Sequence, residues 1–386
     1  MSNGRPSRRR FLLGSAAAVS AVATRPAFGA PFSQQLTIAV VVPLTGPQSA
    51  AGLQIVNGVR QAVDEVNRMT GALDRAFAVR SFDDQNSNVG AVMGAQFAAS
   101  DPTAIATVGH LSGAVTMTAL PQYANARMPL IVPASSADLI TGRGYRNVFR
   151  LPTKDSVEGQ LFARYVLPKV RPTRAVALTT DADYGPDVAR GFVGEASLEK
   201  VSTTTIAVKA DNPNLGDAAK RVQSFAPDYI FLAGNVQTLG PIVPLLRTFG
   251  FKGGFGAPQG FYTRATLQYS SEMSGAFIST SMPPLDRVTS AFQYVGDLGA
   301  RYGEITPLIA FGFAAAQVPI AAARRTGSSD RLSMIRALTT GGSFDTIVGS
   351  FSFSFSGDPI DPNLYFYTLA NGDFKYAGAS HPSSIL

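Results

Sequence analysis

The sequence predicts an α/β fold built as two units of parallel sheet with helices on both faces. Three observations carry that reading. From Leu36 to Val132, apolar runs of strand length alternate with amphipathic stretches of helix length, the pattern of parallel βαβ units. The same rhythm restarts at Arg174 and continues to Ala257. With 386 residues and 45% hydrophobic content, the chain holds apolar material for two cores.

Leu36–Val42 is a continuous apolar run, as a strand buried on both faces should be, and it closes at Pro43-Leu44-Thr45-Gly46-Pro47. A helix follows to about Arg68, because Ile55, Val59, Ala62, Val63 and Val66 recur at helical spacing. Phe77–Phe82 alternates as a strand and stops at Asp83-Asp84; a second helix covers about Val89–Ala99, and a third strand covers Ala104–Val108. A helix-like segment then runs from Ser112 to Ala126, and Leu130–Val132 is the next strand. These last two strands end in small polar turns, at Ser112-Gly113 and at Ser135-Ser136. In open α/β sheets, ligands sit outside the carboxyl ends of the strands. The helix after Ser112 would aim free backbone N–H groups into the same crevice, a seat for a carboxylate.

In the second unit, Arg174–Thr180 is a strand ending at Asp181-Ala182-Asp183-Tyr184-Gly185, and a helix runs to about Lys200. Val201–Val208, rich in Thr and Val, is the next strand, followed by a helix over Leu215–Phe225. Tyr229–Leu232 ends at Gly234-Asn235, a helix runs to Phe249, and Gly254–Ala257 ends at Pro258-Gln259-Gly260. The two halves share this architecture without an internal repeat that can be aligned. After Pro283-Pro284, three helices are expected at about Asp286–Tyr302, Ile309–Arg325 and Asp330–Thr339. The Ser and Phe alternation predicts a half-buried strand over Phe351–Phe355. Tyr365–Ala370, the turn Asn371-Gly372 and Phe374–Tyr376 read as a hairpin.

The net charge of +7 says little about partners, because Arg5, Arg8, Arg9, Arg10 and Arg25 lie in the first thirty residues, which hold no acid, leaving about +2 elsewhere. Neither nucleic acid nor an anionic membrane is implied. Residues 1–30 read as an export signal: a basic start, the apolar run Phe11–Ala23, too short for a permanent span, and small residues around Ala27-Phe28-Gly29-Ala30. Ser7-Arg8-Arg9-Arg10-Phe11-Leu12 matches the twin-arginine signal, which carries folded proteins across the bacterial inner membrane; an ordinary Sec signal with an arginine-rich start is the alternative. The mature chain is expected to begin near Ala30 and to work in the periplasm. With no cysteine there is no disulfide framework, thiolate metal site or lipidated thiol. No later apolar run reads as long and uncharged enough to span a membrane.

Catalysis is the main rival to binding. A secreted hydrolase needs a Ser or Cys nucleophile near a His base. The chain has no Gly-x-Ser-x-Gly and only two His; His110 and Ser112 are close, but no orienting acid is evident. Candidate metal ligands are too few for a site, and no Gly-x-x-x-x-Gly-Lys-Ser/Thr loop offers a phosphate cradle. A binder without cofactor or metal is the expectation.

Several segments, in order, then resemble one family. IAVVVPLTGPQSAAG, GVRQAVDEVN, FDDQN, ATVGHLSG, MPLIVPASSADLITGRGYRNVFR and DADYGPDVARGF resemble the type I periplasmic solute-binding proteins of ABC importers, in particular the branched-chain amino acid (Leu/Ile/Val) and amide group. The likeness runs from about Leu36 to the C-terminus and is strongest before Gly194. It implies two Rossmann-like lobes joined by three hinge crossings, closing on a ligand in the cleft between them. One lobe would comprise residues 31–154 plus 284–365, the other 155–283 plus 366–386. It also implies passage through an export translocon and delivery of a small-molecule solute to an inner-membrane permease with its ATPase. A periplasmic ligand sensor not coupled to transport is the other role this fold serves.

The resemblance assigns positions as well. In the family, the ligand carboxylate is held by small hydroxyl residues and backbone N–H groups at two strand ends of the first lobe, here Ser112-Gly113 and Ala134-Ser135-Ser136. The plain alternative is that these serines cap helices. Gly113 stands where amino-acid binders usually carry a hydroxyl. Tyr184 matches the aromatic that closes over the ligand from the second lobe, where Asn235 and Gln259 occupy the other two strand ends. Relatives that bind α-amino acids place a carboxylate where Gln259 stands, and a neutral amide cannot pair with a buried ammonium. Ala51 lies where leucine binders tend to carry an aromatic wall, which leaves more room. The expected solute bears a carboxylate or amide but no α-amino cation and is aromatic or otherwise larger than leucine; a branched-chain amino acid is the alternative. His110 is either a ligand contact or a satisfied strand-end side chain. Asp83-Asp84 are read as fixing the turn, with Asp84 able to border the cleft, and His381 as a surface residue.

Overall fold

The computed structural model describes Met1 and residues 35–70, 77–180, 184–209 and 214–381. The expected export signal lies outside these residues, as do Asp181–Asp183 ahead of Tyr184. The first sheet is parallel, with strands β1 (Leu36–Val42), β2 (Phe77–Asp83), β3 (Ala104–Gly109), β4 (Leu130–Val132) and β5 (Val148–Arg150) in the order β2-β1-β3-β4-β5. Every β1 residue is buried, as its unbroken apolar run requires of a central strand. Between the strands come α1 (Ser49–Thr70), α2 (Asn88–Ser100), α3 (Gly113–Asn125) and the single turn α4 (Leu139–Gly142).

The chain then enters α5 (Asp155–Val170) and a second sheet. Its parallel part alternates β6 (Arg174–Thr180), α6 (Pro186–Leu198), β7 (Ser202–Val208), α7 (Leu215–Phe225), β8 (Tyr229–Ala233), α8 (Val236–Leu239), α9 (Ile242–Thr248), β9 (Gly254–Ala257) and β10 (Phe277–Thr280). From there the chain returns to the first lobe with α10 (Phe292–Tyr302), α11 (Pro307–Thr326), α12 (Arg331–Thr340) and the small pair β11 (Phe344–Thr346) and β12 (Gly349–Phe351). It ends in the hairpin β13 (Tyr365–Ala370) and β14 (Asp373–Ala379), which joins the second sheet antiparallel to β10, giving the order β14-β13-β10-β9-β8-β6-β7. The hairpin turn has positive φ at both Asn371 and Gly372, the conformation that an Asn-Gly pair accepts most readily.

Each lobe has its own core. In the first, β1 side chains such as Val40 pack with Ile55 of α1, Phe313 of α11 and Met334 of α12. Helices α1 and α11 approach closely through glycine: a Cβ at Gly58 would lie 2.2 Å from the Ile309 carbonyl oxygen. In the second, one face centres on Ile230, Leu232 and Leu246, the other on Phe162, Phe192 and Phe231.

Several elements depart from expectation. Gly240-Pro241 divides the helix expected to reach Phe249 into α8 and α9, since proline lacks the N–H that would continue the ladder. The helix expected from Asp286 starts at Phe292, after two short 3₁₀ turns. The strand expected over Phe351–Phe355 ends at Phe351; Phe353 is buried as the alternation suggests, but finds only an isolated bridge to Pro359. Strands β5 and β10 and helix α5 had no counterpart in the sequence reading. Among the described residues, α11 is long and apolar enough to cross a membrane, contrary to expectation, yet 72% of its most apolar stretch is buried inside the lobe.

Candidate functional site

Parallel strands β3 and β4 lie side by side, so their exits open on the same edge of the first sheet. Ser112 is extended, with φ −107° and ψ 157°, and precedes α3, but its hydroxyl makes no capping hydrogen bond. Ser87 shows the contrast: its oxygen accepts from the Gly90 N–H at 3.0 Å and caps α2. Ser112 is thus half-buried with a hydroxyl that its own helix leaves unused, next to the buried Gly113.

After β4, Ala134 is half-buried while Ser135 and Ser136 are buried. Arg150, wholly buried at the end of β5, holds this turn from beneath. Its Nη1 donates to the Ser136 and Ala137 carbonyls, each at 2.7 Å, and its Nη2 donates to Thr141 Oγ1 at 2.6 Å and pairs with Asp358. Burial works against the Asp358 charge, but the Arg150 guanidinium and the Thr141 hydroxyl hold that carboxyl below its usual range.

Three strand-end turns of the second lobe contribute Tyr184, Asn235 and Gln259. The Gln259 side-chain amide donates to Ser136 Oγ at 3.4 Å, a direct contact between the lobes. Behind it sits Glu158, fully buried in the first turn of α5. Its carboxylate accepts from the Gln259 N–H at 2.8 Å, from the Tyr184 hydroxyl at 3.0 Å and from Ser279 Oγ at 3.1 Å. Burial pushes Glu158 up to about 7 against those donors. Burial and the Glu158 carboxylate push the Tyr184 phenol up well above its ordinary value, so it remains a donor. Asn235 is exposed and borders the same spot: a Cβ at Gly260 would lie 2.7 Å from its Oδ1, 2.9 Å from the Tyr184 ring and 2.4 Å from the Gly234 carbonyl oxygen. Only glycine fits there, and its N–H donates to the Tyr184 oxygen at 3.4 Å.

The structure therefore brings Ser136, Tyr184, Asn235 and Gln259 together, with Ser112-Gly113 at the neighbouring strand exit. Ala51 lies half-buried in the first turn of α1. His110 goes elsewhere. It is fully buried, with Nδ1 2.6 Å from Asp84 Oδ2 and Nε2 3.1 Å from the Tyr123 hydroxyl, so both ring nitrogens are engaged inside the fold. Asp84 is equally buried, whereas Asp83 accepts from the Leu44 and Gln85 N–H groups and the Thr45 hydroxyl and fixes the turn after β1. His381 is exposed beside the Ser380 hydroxyl.

Asp155, Glu158 and Arg150 are the residues that sequence reasoning missed. Asp155 opens α5, is buried, and neither carboxylate oxygen has a hydrogen-bond partner. Burial, reinforced by the Glu158 and Asp138 carboxylates, pushes it up to about 8; the neighbouring Ser136 hydroxyl and Arg150 oppose the shift, the hydroxyl without good hydrogen-bond geometry. The available signal was a helix start: acids at 155 and 158 ahead of Leu161, Phe162 and Val166 at helical spacing.

A cavity of about 670 Å³ opens where the passages between the lobes meet, lined by Thr153, Ser281, Pro284, Arg287, Ser350 and Tyr365 among others, and by none of the cleft residues above. There the Thr153 N–H donates to Ser281 Oγ at 3.1 Å, linking two of the passages.

Comparison with known proteins agrees with this geometry. The periplasmic binding protein family matches residues 35–373. The chain is 25% identical over 330 residues to the Leu/Ile/Val/Thr-binding protein of Salmonella typhimurium, covering 85% of this chain and 89% of that protein. Its fold is similar to the leucine binding protein of Thermotoga maritima, with TM-score 0.80 and 22% identity over 90% of this chain and 99% of that one. It is also similar to a solute binding protein of an ABC transporter from R. palustris in complex with benzoate, with TM-score 0.75 and 19% identity over 92% and 98%. One parallel and one mostly parallel sheet meeting at one cleft, and a family match that runs through both, place the conclusion beyond the fold alone: the chain belongs to the periplasmic binding proteins.

Proposed function

We propose that this protein captures a small solute outside the cytoplasm and delivers it to the permease and ATPase of an ABC importer, and that the solute carries a carboxylate or amide but no α-ammonium. The Gln259–Ser136 contact carries the reading. At that seam the cleft offers a neutral amide donor and a hydroxyl, suited to an acceptor such as a carboxylate, and Gln259 has no charge with which to balance an ammonium. Ser112, Gly113, Ala134, Ser135 and Ser136 would hold the solute from the first lobe. Tyr184, Asn235 and Gln259 would hold it from the second, and Ala51 leaves room for a larger group. The benzoate-bound relative is consistent with an acid of this kind. Because His110 has both nitrogens engaged, it is no base for Ser112, which supports binding without turnover.

The lobes, residues 31–154 plus 284–365 and residues 155–283 plus 366–386, would close by a hinge motion that the solute drives by contacting both at once. Export by the twin-arginine route and a periplasmic location complete the proposal. A second reading, a branched-chain amino acid, is favoured by Asp155, an acid without a hydrogen-bond partner beside Ser136, and by the Leu/Ile/Val/Thr-binding relative.

Calorimetric titration with leucine, with isocaproate (leucine's skeleton without the amino group) and with benzoate tests the choice. One of the acids should bind at least tenfold more tightly than leucine; a micromolar leucine constant would sink the reading. Gln259→Glu should weaken the acids by tenfold or more, since a charged hydrogen bond is worth roughly 1.5–3 kcal/mol and the new carboxylate repels theirs.

A further inference from the structure

We infer that Asp155 is a ligand-binding residue that works in its protonated form, giving its carboxyl hydrogen to an oxygen of the solute's carboxylate. The inference rests on the proposed class of solute. Asp155 is 1% exposed, and both its oxygens lack a hydrogen-bond partner within the protein. It lies beside the Ser136 hydroxyl and within electrostatic reach of Tyr184, at the seam where Gln259 meets Ser136. A buried carboxyl group ordinarily gathers two or three donors, as Glu158 does one turn along the helix. Asp155 gathers none.

The groups around it explain why. Glu158, on the same helix, and Asp138, ahead of α4, both disfavour a further negative charge. Asp138 itself faces Arg190 at 3.5 Å and accepts from the Ser156 N–H. Arg150, the cation at the end of β5, is committed to Asp358, Thr141 and two loop carbonyls. Tyr184, from the second lobe, donates to Glu158. The Ser136 hydroxyl and Arg150 oppose the shift without overcoming burial and the two carboxylates, so Asp155 keeps its proton up to about pH 8, and a carboxyl hydrogen without an acceptor is a recognition group waiting for one. A solute carboxylate, already facing the Gln259 amide and the Ser136 hydroxyl, supplies that acceptor. An ammonium would instead need Asp155 ionised.

The two cases have opposite pH signs. Isocaproate, benzoate and leucine are titrated calorimetrically into the wild type, Asp155→Asn and Asp155→Ala at about pH 6 and about pH 9, in buffers of different ionisation enthalpy. For whichever acid binds, wild-type affinity should fall about tenfold toward pH 9, with close to one proton taken up per acid bound there. Asp155→Asn, which keeps an N–H donor, should bind at both pH values without that proton; Asp155→Ala should bind about tenfold more weakly at about pH 6. A cooperative thermal melt of each variant establishes that it is folded. If an acid binds wild type and Asp155→Ala equally and without proton uptake, the inference is overturned while the proposed solute class stands. If leucine binds instead, more tightly as pH rises, Asp155 is a counter-ion, and both fall. If no acid binds the folded wild type at millimolar concentration, the solute class is overturned and the inference with it.

Discussion

Asp155 and Glu158 lie three residues apart, yet their surroundings set them different tasks. Glu158 organises donors, while Asp155 has none, and this makes Asp155 a liability in the absence of solute. Its pKa rises from 3.8 in the unfolded chain to about 8 in the folded one. Between those values the unfolded chain has released a proton that the folded chain retains, so the contribution to stability is complete below about pH 4 and is lost as the pH climbs through about 8. Asp155→Asn removes that linkage. Without solute at about pH 8, the variant should be more stable than wild type by on the order of 2–4 kcal/mol, with the difference shrinking toward pH 4. Denaturant unfolding across that range checks it, and identical pH slopes in the two proteins would refute it. Arg150 is the opposite case. Arg150→Ala strands Asp358 and the Ser136 and Ala137 carbonyls and should cost about 3–5 kcal/mol. The sequence placed Ser136, Tyr184 and Gln259 at strand ends because such ends announce themselves as apolar runs closing in small polar turns. Arg150, Asp155 and Glu158 lie at the end of β5 and the start of α5, and their roles depend on which loops fold back over them. Local pattern carries no such information.

At the scale of elements, the second lobe's face of the cleft is assembled around one helix turn. Glu158 of α5 receives the Tyr184 hydroxyl from the loop before α6, the Gln259 N–H from the turn after β9 and the Ser279 hydroxyl from β10. Replacing it by alanine leaves three donors, one buried and two half-buried, without this acceptor, at up to about 1–3 kcal/mol each before relaxation. Glu158→Gln is the sharper test, because its one carbonyl oxygen cannot serve donors that now approach two different oxygens. The glutamine variant should fold, melt lower than wild type and bind the acid that wild type binds roughly tenfold more weakly; unchanged affinity would show that the loops hold their places without it. Gly260→Ala attacks the same assembly from outside, since its Cβ meets the Gly234 carbonyl and the Tyr184 ring, and should weaken binding at least as much with the first lobe untouched. β1, β6 and α7 were legible almost to their ends, whereas α5, sixteen residues long, was passed over. The three-residue β5 and four-residue β10 were not legible, because runs so short hold too few residues to show a period. Phe353 failed the other way: its alternation was real, but no partner strand reached it.

For the whole molecule, the sequence showed two cores through length and a rhythm that restarts. What it could not show from local pattern was the return of α10–α12 to cover the first sheet, or of β13 and β14 to edge the second, since both join segments far apart in the chain. That interleaving places several passages of chain between the lobes, and it frames the last prediction. Direct contacts between the lobes include a long Gln259–Ser136 hydrogen bond of 3.4 Å and the ion pairs Arg190–Asp138 and Arg264–Glu304, whose arginines are exposed, each worth at most about 1 kcal/mol net. A contact of that size shifts an open–closed equilibrium less than tenfold, so none of them holds the lobes together by itself. The ligand-free protein in solution should therefore spend much of its time more open than this structure, and a solute touching Ser136 and Gln259 at once should close it. Small-angle scattering should record a smaller radius of gyration when a binding acid is added. Ser136→Ala should contract less at the same acid concentration and recover full contraction only at higher concentration, because it loses affinity and not the hinge. Ser281→Ala, which removes a hydrogen bond between the passages and leaves the cleft intact, should alter the ligand-free radius while changing the solute-bound one little. A ligand-free radius equal to the acid-bound one in all three proteins would mean that the lobes are already locked, and hinge closure would be excluded as the capture mechanism.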